Sequence, residues 1–590
     1  MVVSLIYQTY DHQIKQDMNW TTHEFIWLDW LVIILGVALI AWMVYHTLHN
    51  EKKKEKEETS GAYFLGKGEP WWVIGAAIFA ANIGSEHLVG LAGAGAKTGF
   101  GMAHWEMQGW MILILGWLFV PFYQHARVFT MPEFLSRRYT RATSSWLSII
   151  TLISYVLTKV SVTAFTGGIF LESLLGIPFW YGAIGLIVLT GIFTVFGGMK
   201  GVMTLSKIQT PILIIGSFLV LFLGLSALGQ GSIADGWSTM IDSASKLNEG
   251  YGTNHLMHFD KNDPLYDSYP GIWVFIGAAI IGFWYWCTDQ HIVQRVLGQS
   301  EGESDVVVMK RARRGTIAAG YLKILPVFMF LLPGMIAMSL AENNINGFTM
   351  SADETDMAFG FMVKFVLPAG IKGLVTIGFI CALVTSLSAF FNSCATLYTV
   401  DFYKPKHQHA SEEKLVWVGR VATIAVVIIG LVWIPVMMSL GSLYEYLQGV
   451  QSLLAPAIVA VFFLGIFTKK ITPKAGELGM IVGFIIGMVR LVCNIFVTEL
   501  QVSPLNNTLG WFWNTNWLIF EIYLLLFIMA LMFVVSLMTK PASEEKLKGI
   551  TFLTQSEEQK RETRESWNTW DIITSLGVVA ACAAFYILFW

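Results

Sequence analysis

WWVIGAAIFAANIGSEHLVGLAGAGAKTG, residues 71–99, is apolar and long enough to cross a bilayer, yet it carries Asn82, Gly84, Ser85, Glu86 and His87 in its middle. A crossing needs about 20 helical residues, and a charge at its centre costs roughly 2.5 to 3.5 kcal/mol on insertion scales. Gly84 and Ser85 favour local unwinding. An unwound turn frees backbone carbonyls, which can bind a cation where they line a cavity. Close packing of helices explains the glycines, but it does not explain five polar or flexible residues together. The expectation is a helix interrupted at mid-bilayer, with function seated at the interruption.

The rest of the chain fits that environment. Of 590 residues, 55% are hydrophobic and 13% charged, against about 25% charged in soluble domains. The fold class expected is an all-α membrane protein. Fourteen candidate crossings fall near 28–48, 70–95, 102–123, 143–174, 178–197, 206–229, 271–294, 315–340, 359–402, 415–440, 445–468, 475–498, 514–538 and 570–590. The stretches 143–174 and 359–402 exceed one crossing, so each tilts or runs on beyond the bilayer. Alternate connections, beginning with 49–69, hold 29 of the 38 lysines and arginines, whereas the opposite side holds six. Lys159, Lys323 and Arg490 stay inside the apolar stretches, Arg490 reaching toward a headgroup. Because positive residues collect on the cytoplasmic side, both termini are expected to be extracytoplasmic, in a multi-pass protein of the cell membrane.

Several function classes are excluded or weakened. There is no G-x-x-x-x-G-K-[ST] run, which argues against an ATP-driven pump. No soluble stretch longer than about 40 residues offers an output domain, and the 230–270 connection reads as a solvated surface. The net charge of -3 gives no case for nucleic acid. Five cysteines in apolar surroundings read as buried small side chains rather than a disulfide framework. The N-terminus lacks the pattern of a cleaved signal peptide.

Polar residues mark two further segments. GAAIIGFWYWCTDQHIVQR, residues 277–295, sets Asp289 and Gln290 where a helix end can break, while Tyr285 and Trp286 can stack on the apolar face of a sugar ring or form an interfacial aromatic run. CALVTSLSAFFNS, residues 381–393, places Ala382 one turn from Ser386 with Thr385 beside it. Hydroxyl and carbonyl oxygens on one face suit a hard monovalent cation, although such hydroxyls commonly bond back to their own helix. Glu106, Lys159, Lys323 and Gln448 complete the set of intramembrane polar residues, and pairing of carboxylate with ammonium can neutralise them in a wet cavity.

With these strings in view, the chain resembles the sodium/glucose cotransporter branch of the solute:sodium symporter family. The resemblance is carried by ANIGSEHLVGLAGAGA, FTMPEFLSRRY, SYVLTKVS, FWYWCTDQHIVQR, GYLKILP, SLSAFFNSCATLYTVDFYK and YLQGVQSLLAPAIVAVFFLGIF, in order along nearly the whole chain. It implies a LeuT-like core of two inverted five-helix repeats, 70–229 and 271–468. An N-terminal region, 1–69, precedes the core, the 230–270 loop joins its halves, and three peripheral helices, 469–590, follow. The implied sodium ligands are the carbonyls of Ala80, Ile83 and Ala382 with the hydroxyls of Thr385 and Ser386. The implied sugar contacts are Asn82, His87, Glu106, Lys159, Trp286, Lys323 and Gln448, with Tyr285 as the inner gate. Trp105 stands where a smaller aromatic is usual. Where members with a second sodium site have an Asp, this chain has Ser206, and the companion position is Ala389. That substitution leads to an expectation of one sodium per sugar. The resemblance further implies a hexose substrate, or alternatively myo-inositol, a sialic acid or another polyol, carried by a monomer or weak homodimer among membrane lipids. A channel would conduct without accumulating solute, and a sensor would bind without transport.

Overall fold

The computed structural model describes residues 25–51, 70–84, 86–128, 130–297, 303–438 and 443–590. The readings for the first 24 residues and for 52–69 lie outside it, as do Ser85 and the side chains of 195–208, Ser206 included. Among the described residues every regular element is helical, apart from a single bridge between His258 and Pro270.

Among the described residues, ten helices are long and apolar enough to cross a membrane, and four shorter apolar helices, Trp27–Leu39, Trp71–Asn82, Phe179–Gly191 and Ile272–Thr288, accompany them. These correspond to the expected segments, counted here from first to fourteenth, with differences that have local causes. The second and third segments are separated at Gly99, whose φ of +61° ends the helix Ala92–Thr98. A Cβ at Gly99 would lie 1.9 Å from the Thr253 carbonyl oxygen, so only glycine allows this turn. The stretch 359–402 is two elements rather than one long crossing. A short helix, Ala358–Val366, stops before Pro368, and Gly370, at φ +82°, starts a new helix, Ile371–Leu397. The stretch 143–174 does continue as one helical span, Arg141–Leu175, closed by Gly176 in the left-handed conformation.

Helical hydrogen bonding is continuous over Phe179–Leu228, 50 residues, yet side-chain contacts require the chain to double back within it. Phe179 packs on Phe165, and further along Thr194 Oγ1 meets Ser388 Oγ at 2.5 Å. Gln209 accepts from Thr385, three residues before Ser388, and Gly216 then lies against Val375. Fifteen residues of straight helix would separate Thr194 from Gln209 by about 22 Å, so the fifth and sixth segments run down and up the same ninth segment.

Burial orders the bundle. The eleventh segment, Tyr446–Phe467, is 89% buried across its most apolar window, whereas the fourteenth, Thr569–Leu588, is only 22% buried and presents an apolar outer face that suits lipid. The 230–270 connection is not simply a solvated surface. It contains the helix Ile233–Lys246, and Leu256, Met257 and Tyr269 are buried against the bundle because three apolar side chains there have a helical end to cover. Arg490 is likewise turned inward rather than toward a headgroup. Its guanidinium lies 4.2 Å from the centroid of the Phe520 ring and donates to the Thr515 carbonyl, so an aromatic face and a helix end replace solvent. The cysteines are unpaired, four of them buried.

Helices approach most closely where side chains are smallest. A Cβ on Gly334 would lie 1.9 Å from the Ala92 carbonyl oxygen, and one on Gly95 would lie 2.2 Å from that of Leu331. The C-terminal half of the second segment therefore touches the eighth backbone to backbone. Replacing Gly334 with Val should destabilise the protein by about 1 to 3 kcal/mol through overpacking, read as a lowered melting temperature in detergent, whereas Gly185→Val, with nothing within 4 Å of its Cβ position, should leave it unchanged.

Candidate functional site

Asn82 ends the first half of the second segment, and Ile83 leaves the helix with ψ 109°. In an unbroken helix the Gly84 amide would bond Ala80 and the His87 amide would bond Ile83. Instead Gly84 donates to His87 Nδ1 at 3.4 Å, and the His87 amide donates to the Gly84 carbonyl at 3.2 Å. Both diversions withdraw a donor from a carbonyl implied as a sodium ligand. The chain then resumes as a π-helical turn, Glu86–Leu91. The seventh segment breaks in the same manner. Its π turn, Phe283–Thr288, ends at Asp289, whose ψ is 128° and whose side chain caps the helix Gln290–Val296 by accepting from the His291 amide.

A cavity opens between these two breaks. Its walls include Asn82, Glu86, His87, Glu106, Lys159, Tyr285, Trp286, Lys323 and Gln448. All eight sequence-predicted substrate residues thus share one space, although they come from the second, third, fourth, seventh, eighth and eleventh segments.

Two buried ion pairs face each other across it. Lys323 Nζ reaches Glu106 Oε2 at 2.6 Å and Asn82 Oδ1 at 3.0 Å, and Lys159 Nζ reaches Glu86 Oε1 at 3.1 Å. His87 Nε2 lies 3.5 Å from Glu106 Oε1. Each lysine also hangs over an aromatic face, Lys159 at 5.3 Å from Tyr285 and Lys323 at 5.5 Å from Trp286. Formal charge therefore cancels within each lysine–carboxylate pair, leaving polar donors and acceptors without a net ionic field.

The aromatic floor is oriented by a glutamine, an asparagine and a glycine. Trp286 Nε1 donates to Gln108 Oε1 at 3.0 Å, and Gln108 Nε2 donates to the Ala278 carbonyl at 2.7 Å. Gly282 makes room for that amide, since a Cβ there would lie 2.7 Å from Gln108 Oε1. Asn82 Nδ2 donates to Tyr285 OH at 3.5 Å, and Tyr285 stands edge-on to Trp286. Gln108 and Gln451, which also line the cavity, escaped the sequence reading. The signal for Gln451 was present, because it lies three residues after Gln448 and shares its helix face. Trp105, on the cavity wall, stacks on Trp517 with ring centroids 5.9 Å apart. Gln448 Oε1 and Trp105 Nε1 are buried without a hydrogen-bond partner among the described residues, an acceptor and a donor open to a hydroxylated ligand.

The second half of the implied sodium set lies on the ninth segment. Thr385 and Ala382 are buried there with half-buried Ser386 beside them. Thr385 Oγ1 lies 2.6 Å from Gln209 Oε1, to which it donates, and within reach of the Cys381 and Ala382 carbonyls. A hydroxyl that spends its proton on Gln209 keeps lone pairs for a cation, and the donor set of carbonyls and hydroxyls fits a hard ion. Gln209 was not anticipated.

A sodium:solute symporter family model matches residues 63–483. The chain belongs to the sodium:solute symporter family. The symporter is 32% identical to sodium/myo-inositol cotransporter 2 of Oryctolagus cuniculus over 521 residues, 85% of this chain and 76% of that relative. It is 31% identical to sodium/glucose cotransporter 1 of Ovis aries, over 90% of this chain and 81% of the relative. Among solved structures, the substrate-bound outward-open state of a Na+-coupled sialic acid symporter superposes with a TM-score of 0.63 at 19% identity, covering 88% of this chain and all of that one. The fold is accordingly the LeuT-like inverted-repeat arrangement, the coupling ion is sodium, and the protein is a multi-pass transporter rather than an enzyme.

Removing one partner of a buried pair strands the other charge. Lys323→Met should lower stability by about 3 to 5 kcal/mol, measured as a melting shift, by leaving Glu106 uncompensated. Lys323→Met with Glu106→Gln should recover most of that stability without recovering solute uptake.

Proposed function

We propose that this symporter imports a neutral hexose such as glucose or galactose, with one sodium ion, by alternating access. The observation that carries the substrate class is the charge-cancelled cavity, with Trp286 as a stacking face and with Gln448 Oε1 and Trp105 Nε1 open. In this reading Asn82, His87, Glu106, Lys159, Lys323 and Gln448 bond the hydroxyls, and Tyr285 closes the inner side. Both lysines are already committed to carboxylates, which disfavours an anionic sugar acid. A second reading, myo-inositol or another neutral polyol, is supported by the same chemistry and by the named relatives.

The sodium ligands in this proposal are the carbonyls of Ala80, Ile83 and Ala382 with the hydroxyls of Thr385 and Ser386. Binding there joins the broken second segment to the ninth and orders the turn from which Asn82 and His87 project. Support for a single ion comes from Ala389, whose side chain has no oxygen, and from Ser388, whose hydroxyl is engaged by Thr194. One charge moving through 100 mV contributes about 2.3 kcal/mol, and a tenfold gradient adds about 1.4 kcal/mol. Together they support roughly several-hundred-fold accumulation. The inner side is held shut by Tyr155 OH donating to Asp289 at 3.2 Å, Tyr123 OH to the Cys287 carbonyl at 2.8 Å and the Met131 amide to Gln290 at 2.7 Å. Breaking these bonds is the step that releases both solutes. Repeats over 70–229 and 271–468, extracytoplasmic termini and residence in the cell membrane complete the proposal.

Reconstituted vesicles should accumulate labelled glucose only with an inward sodium gradient, at one charge per sugar; competition by galactose, myo-inositol and mannose ranks the substrates. Leakage without accumulation would mean a channel. Thr385→Ala with Ser386→Ala should abolish sodium stimulation, and uptake that keeps its sodium dependence in this variant would remove the site.

A further inference from the structure

The loop joining the sixth and seventh segments gathers ligand atoms outside the transport cavity. One atom from each of His255, His258 and Asp263 can be chosen so that all lie within 4.8 Å of one another. The two imidazoles are 4.4 Å apart between ring centroids. His258 is 1% exposed, and its Nδ1 lies 2.5 Å from Asp263 Oδ2. Asp263 is itself fixed, because its Oδ1 accepts from Asn248 Nδ2 at 2.7 Å and from the Leu265 amide at 2.8 Å. A carboxylate on Nδ1 keeps the proton there and presents Nε2 as a lone pair, the arrangement by which proteins orient metal-binding histidines. His258 Nε2 is buried and has no hydrogen-bond partner among the described residues. Such an atom needs a reason.

The surroundings hold these groups in place. The Leu256 amide donates to the Phe589 carbonyl at 2.7 Å, the Leu256 carbonyl lies 2.9 Å from His104 Nε2, and Tyr269 OH lies 2.9 Å from Thr98 Oγ1. The loop is thus tied to the outer end of the second segment, to the third and to the fourteenth.

We propose that His255 and His258, the latter oriented by Asp263, form a binding site for a divalent transition cation of the zinc class. Two imidazole nitrogens are donors such an ion takes, with Asp263 behind His258 on Nδ1 and the remaining positions open to water. The nitrogen donors disfavour calcium, magnesium and sodium, which take oxygen. An ion bound there stiffens the rim that braces Thr98 and His104, two residues before Glu106 of the cavity.

The test uses the full chain in detergent, with zinc and cobalt as probes. Zinc should raise the melting temperature by several degrees, reversibly with a chelator, and cobalt should give the visible absorption of a nitrogen-ligated tetrahedral ion. His255→Ala, at a half-buried position, should lose both signals while keeping sodium-dependent uptake as proof of folding. Asp263→Asn should weaken zinc about 10- to 100-fold. Removing the exposed pair His407 and His409 by alanine should leave both signals intact. The proposal falls if zinc does not shift the wild-type protein, if His255→Ala shifts equally, or if the signal disappears only with His407 and His409.

Discussion

Everything in this bundle follows from the rule that a backbone amide or carbonyl in hydrocarbon must find a partner. The turn from Ile83 to Glu86 breaks the helical ladder where the rule is strictest. His87 makes that tolerable by taking the Gly84 amide on its imidazole. The same histidine lies 3.5 Å from Glu106, so the side chain that closes the break is also part of the cavity wall. Nothing comparable could be held by the glycine-rich backbone alone.

The second requirement is charge. Four ionised groups at mid-membrane would be prohibitive singly, but Lys159 with Glu86 and Lys323 with Glu106 satisfy one another across helix boundaries. Each pair joins two segments, the first linking the second to the fourth and the other linking the third to the eighth. In the proposed reading, substrate recognition and assembly of the bundle draw on the same contacts.

Much of this was legible in the sequence because bilayer physics is severe. Polar residues inside an apolar stretch are rare, so Asn82, Glu86, Glu106, Lys159 and Lys323 announced themselves, and the resemblance supplied their company. What could not be read were relations set by packing. Gln108 was not singled out, and only the close approach of Gly282 reveals that it orients Trp286. Gln209 stood at the start of the sixth segment without any sign of its partner, because Thr385 is 176 residues away. Arg490 was misjudged because local hydropathy cannot reveal that a later helix, Asn506–Asn514, folds over it. Length misled at 359–402, where Pro368 and Gly370 divide an apolar run that composition alone presents as one.

The mutual neutralisation of the cavity's ions has a bearing on energetics of the empty carrier. A transmembrane field does work only on net charge displaced through it, about 2.3 kcal/mol per elementary charge at 100 mV. Paired lysines and carboxylates that shift together displace almost none. Within the proposed cycle, these two pairs therefore add little to the charge that moves when the empty carrier reorients.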